Sequence, residues 1–113
     1  MVSKEVLQIV LNELCRKLKQ LYVDDLDKVL LYGSYARGDY REYSDVDVMV
    51  LVKCSAERIK ELDKELTPFE SRLCVDYDVD LSVFTKNKEY FDYWKEDLPY
   101  YRNIVTEGIE ISA

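Results

Sequence analysis

The chain has 113 residues, 48% hydrophobic and 35% charged, a mix that builds one core under a solvated surface and excludes a disordered chain. Sixteen Lys and Arg against 23 Asp and Glu give a net charge of −7, whereas a protein that coats nucleic acid by neutralising phosphates needs the opposite sign. The chain has no histidine, which removes Ser-His-Asp catalysis, Cys-His catalysis and every Cys/His zinc pattern.

Met-Val-Ser-Lys-Glu at the start has no apolar signal-peptide core, and apolar runs of about four residues fall far short of the roughly 20 a membrane span requires. The expectation is one domain, residues 1–113, without membrane association and cytoplasmic. Cys15, Cys54 and Cys74 are odd in number and widely spaced, which suits reduced thiols. Leu7, Val10, Leu11, Leu14, Leu18 and Leu21 recur at steps of three and four and predict an amphipathic helix over 3–21, with Ser3 as its N-cap. Val29-Leu30-Leu31-Tyr32, stopped by Gly33, predicts a buried strand, and the β-branched run Val46 to Val52 a second. Ser55 with Glu57 behind it opens a helix over 55–66 that closes before Thr67-Pro68. Tyr77, Val79, Leu81 and Val83 alternate with Asp76, Asp78, Asp80 and Ser82, which predicts a third strand over about 75–84. Two helices, 87–96 and 99–107, end at Gly108, and Ile109-Glu110-Ile111 is an edge strand or a tail. The order gives an α+β fold: a small mixed β-sheet packed with helices.

The chemistry concentrates between Gly33 and Val50. Asp45 and Asp47, two apart on a strand, point to one face with Cα atoms roughly 6.6 Å apart. Two carboxylates aimed together repel unless a cation lies between them, and hard ions such as Mg²⁺ are held by such oxygen pairs with waters and substrate phosphates. Two solvated acids at an edge is the plainer alternative. If the third strand is a neighbour, Asp80, deepest in its apolar run, can complete a three-carboxylate cluster, with Asp78 in reserve. Gly33 followed by Ser34 after a strand offers the N–H groups of a helix start to an anion. The spacing from Gly33 to Gly38 imitates a Walker A loop, but Asp39-Tyr40 stand where Lys-Ser/Thr belong, so a P-loop is excluded.

Taken together, G-S-Y-A-R-G-D from Gly33, a ten-residue gap (35–44), S-D-V-D-V-M-V from Ser44 and the VDLSVF segment resemble the DNA polymerase β-like nucleotidyltransferase superfamily, more narrowly its minimal nucleotidyltransferases. The resemblance covers nearly the whole chain and implies the polymerase β-like fold, with transfer of a nucleoside monophosphate from an NTP to a hydroxyl. By position it implies that Gly33 and Ser34 hold the β- and γ-phosphates of ATP, with Arg37 assisting or pairing with a loop carboxylate. Asp45 and Asp47 would ligate two Mg²⁺ ions, and Asp80 the metal on the nucleophile side, where it helps deprotonate the acceptor. The same resemblance implies a partner, a HEPN-domain ribonuclease toxin, whose tyrosine is adenylylated and silenced. Two alternatives stay open: an antitoxin that only occludes the toxin, and transfer to a small molecule or RNA end. The ten tyrosines serve core packing or partner and homo-oligomer contacts, and Tyr35, Tyr40 and Tyr43 flank the signature where they could stack on a base or be modified.

Overall fold

A computed structural model describes residues 2–41 and 45–111. The first helix, α1 (Lys4–Tyr22), opens at Ser3, whose hydroxyl accepts the Val6 N–H at 3.2 Å. A 3-10 turn (Val23–Asp25) leads into β1 (Leu26–Tyr32), then comes one helical turn, α2 (Ser34–Arg37), and β2 (Val46–Val52). There follow α3 (Ala56–Tyr77), β3 (Leu81–Asn87), α4 (Lys88–Trp94), α5 (Pro99–Glu107) and the two-residue β4 (Ile109–Glu110). The sheet runs in the order β3-β2-β1-β4. β1 is antiparallel to β2 and β4, while β2 and β3 are parallel, so the sheet is mixed, as expected. A parallel neighbour needs a long crossover, and α3 supplies it.

Two elements differ from the sequence expectation. The helix opening at Ser55 does not close before Pro68; it runs through that residue to Tyr77. Pro68 lies on the exposed side, where a missing N–H is least costly, and Leu62, Leu66 and Leu73 bury a continuous stripe across it. The third strand therefore begins at Leu81 and not near Val75. Asp76 belongs to α3, and Asp78 is the left-handed cap that ends it at φ 50°, a conformation Asp tolerates. Asp76, Asp78 and Asp80 do not share a strand face. The closing segment Ile109–Glu110 is an edge strand, pairing with Leu30 and Leu31.

β2 is buried on both sides. Val46, Val48, Val50 and Val52 join Val10, Leu14, Leu18 and Leu66 in a core beneath α1 and α3. Met49 and Leu51 face the other way, into a smaller core with Phe91, Tyr101 and Ile104 of α4 and α5. No helix among the described residues is long and apolar enough to cross a membrane.

Candidate active site

The alternation of β2 fixes where its acids point. With Val46 and Val48 turned into the α1/α3 core, Asp47 continues the opposite row, that of Met49 and Leu51. Asp47 pairs in register with Tyr32 of β1 and Ser82 of β3. Asp45 is exposed just before β2 begins. The Val46 N–H donates to the Asp80 carbonyl at 2.7 Å, which sets Asp80 beside Asp45 across the parallel ladder. Asp80 is exposed, so burial in an apolar run is no ground for choosing it; adjacency to β2 is. Among the described residues, no three acid or thiol side chains converge into a ready-made cation cage.

Gly33 closes over Asp47. Its φ of +76° is one that side-chain-bearing residues rarely adopt, and a Cβ there would stand 2.7 Å from the Asp47 Oδ2. The strand-to-helix turn and the approach of the carboxylate to the backbone thus both require glycine. Ser34 begins α2, and its carbonyl accepts the Gly38 and Asp39 N–H groups at 2.9 and 3.2 Å. Arg37, at the end of the turn, donates to Asp39 at 3.2 Å and to Glu107 at 3.1 Å. The pairing with a loop carboxylate is therefore present, and Glu107 of α5 is a second partner.

These residues open onto a cleft of about 350 Å³. Gly33, Ser34, Arg37 and Asp47 form one side, and Tyr100, Asn103 and Glu107 of α5 the other. Asp45 and Asp80 do not line it. Burial raises the Asp47 pKa first and the neighbouring Asp45 charge second, with Arg37 opposing. Burial also raises Tyr32, as does its hydroxyl contact with Tyr100, so at neutral pH the Tyr32 hydroxyl keeps its proton. A larger groove, about 490 Å³, lies between the start of α3 and the end of β3, lined by Lys60, Asp63, Thr85 and Tyr90 among others and by none of the signature residues.

The α5 wall was not foreseen from sequence. Tyr100, Asn103 and Glu107 are spaced by three and four, one helical face, and that spacing is the signal available before folding. Of the tyrosines flanking the signature, Tyr35 is buried and stacked on Tyr40 at 4.4 Å and 3°, while its hydroxyl accepts the Val2 N–H. Those rings are occupied with each other. Tyr43 and Ser44 lie outside the described residues.

Comparison with known proteins fits this geometry. Residues 7–110 match the family described as "Nucleotidyltransferase domain". The chain is 42% identical over 84 residues to "Putative protein adenylyltransferase MJ0141" of Methanocaldococcus jannaschii, covering 74% of this chain and 82% of that protein. A second protein of that organism, "Putative protein adenylyltransferase MJ0604", is 30% identical over 98 residues, covering 87% of this chain and 90% of its own length. Among solved structures, one described as "Crystal structure of the toxin-antitoxin with AMP-PNP" superposes with a TM-score of 0.50 at 20% identity, covering 87% of this chain and 69% of that one; it shares the fold. A match across almost the whole chain, on a fold that sets an acid of β2 beside a Gly-Ser turn, makes this a member of the nucleotidyltransferase domain family.

Proposed function

We propose that the protein transfers AMP from ATP to a tyrosine hydroxyl of a HEPN-domain ribonuclease toxin, and so acts as its antitoxin. The observation that carries the chemistry is Asp47, partly buried on β2 and close enough to Asp45, just before that strand, to feel its charge, under a glycine that leaves room for its carboxylate. Support for a protein acceptor comes from relatives named as protein adenylyltransferases, and support for the partner from the family resemblance of the signature.

The donor set fits Mg²⁺: two hard-oxygen carboxylates side by side, short of a full cage, as expected for an ion that takes its remaining ligands from water and substrate phosphates. Asp45 and Asp47 would hold it, with Asp80 as the third ligand. Bound there, such ions neutralise the phosphates and stabilise the attacking and leaving oxygens of an in-line displacement. Ser34, through its hydroxyl and the N–H groups at the start of α2, grips the β- and γ-phosphates beside Gly33, and Arg37, held by Asp39 and Glu107, stands at that end. Asp80, on the β3 side, takes the proton of the attacking hydroxyl. The new bond joins the acceptor oxygen to the α-phosphorus, the α–β bridging bond breaks, and pyrophosphate leaves.

The test is label transfer from α-³²P-ATP with Mg²⁺ in lysate of the protein's own source, beside the Asp45→Asn/Asp47→Asn double variant. The expected result is a labelled protein band with the wild type alone, lost on adding a chelator, with the label on tyrosine by mass. Label on RNA or a small molecule moves the acceptor there. A double variant that still neutralises the toxin makes the protein an occluding binder.

A further inference from the structure

The cleft is polarised along α5. At one end Arg37 is tied to Glu107; seven residues earlier, about 10 Å along the helix axis, stands Tyr100. A nucleotide is polarised in the same sense, with a polyphosphate at one end and a flat base at the other. We infer that Tyr100 is the platform on which the nucleobase stacks, with Asn103, one turn further along, facing the sugar. This rests on the nucleotidyltransferase reading of the cleft and adds to it the subsite that binds the nucleoside.

The assignment rests on the following observations. Tyr100 and Asn103 line the same cleft as Gly33, Ser34 and Asp47. The Tyr100 ring is held in place: it meets the Tyr32 ring edge-on at 6.0 Å and 89°, and the two hydroxyls are hydrogen-bonded. Tyr32 is itself buried and paired in register with Asp47, so the platform is tied to the strand position opposite that acid. Even so held, Tyr100 remains 49% exposed, leaving ring surface for a ligand. Tyr35 and Tyr40 of the signature turn stack on each other and do not line this cleft. Asn103 brings both a donor and an acceptor, which suits sugar hydroxyls.

The test is calorimetric titration with two probes in Mg²⁺: the α,β-methylene analogue of ATP, which cannot react, and tripolyphosphate, which has no nucleoside. Tyr100→Ala is expected to weaken the analogue about tenfold, the scale of one base stacked on an aromatic ring, while tripolyphosphate changes by less than about twofold. Tyr100→Phe, which keeps the ring, is expected to restore analogue binding to within about threefold. Unchanged tripolyphosphate binding also reports that the variants are folded. The inference is overturned if Tyr100→Ala binds the analogue like wild type, if it loses both probes equally, or if the wild type binds the analogue no more tightly than tripolyphosphate. A wild type that binds neither probe removes the nucleotide reading of the cleft and the inference with it.

Discussion

Gly33 serves the backbone and the site at once, because the same positive φ that turns the chain out of β1 brings its α-carbon against Asp47. Gly33→Ala is expected to lose at least about 2 kcal/mol of stability from a backbone conformation essentially confined to glycine (φ 76°, ψ −155°) and from the clash. It should also slow transfer by about 100-fold, as displaced reacting groups do; urea titration and the label assay measure the two. Asp47 carries the opposite conflict between stability and activity. Its pKa is raised by burial and by Asp45, so its contribution to folding is full below the ordinary carboxylate pKa and is lost as pH rises through the raised folded value. Asp47→Asn is therefore expected to melt above wild type at about pH 7, with the difference vanishing near pH 3, while transfer is abolished. A melting curve at each pH checks the sign; a lower midpoint at neutral pH contradicts it.

At the scale of elements, α1 was legible from apolar residues at steps of three and four, and β2 from its β-branched run. The segment from Thr67 to Phe84 was not. It contains two signals: a proline that reads as a stop, and an Asp-hydrophobic alternation that imitates a strand. Tertiary packing overrides both, since Leu66 and Leu73 lie on either side of Pro68 and are each 3% exposed. Extending α3 gives it a second role at the open edge of β3, where Glu70 accepts the Val83 N–H at 2.8 Å. An edge strand with unpaired N–H groups invites pairing with another chain. Glu70→Ala is expected to cost about 1–2 kcal/mol by leaving that donor unpaired. Glu70→Gln keeps an acceptor and removes a carboxylate that burial disfavours, so it should cost less at neutral pH. Chemical denaturation of the two variants separates the lost hydrogen bond from the charge. Of the site, Gly33, Ser34, Asp45 and Asp47 were readable as a local motif; the α5 residues were not, because their proximity to the motif depends on sheet order.

Across the whole molecule, the sheet is clasped between unequal cores. The α1/α3 side is the larger, and the cleft belongs to the smaller side, under α4 and α5. Ile104, 1% exposed, anchors α5 to Met49 and Leu51 on that side. Ile104→Ala is expected to cost about 2–4 kcal/mol and to weaken nucleotide binding although its side chain is apolar, since α5 walls the cleft. Wild-type affinity in a variant so destabilised would detach α5 from the site.

The two ties that complete that wall span almost the full distance between motif and helix: Tyr32 to Tyr100 is 68 residues and Arg37 to Glu107 is 70. During synthesis, a ribosome that has released everything through α4 has already exposed the Gly-Ser turn and the paired acids, yet only half of a cleft. A chain made only through α4 thus lacks the wall that α5 supplies, and in the finished protein that wall rests on Tyr101 and Ile104 packed against Met49 and Leu51.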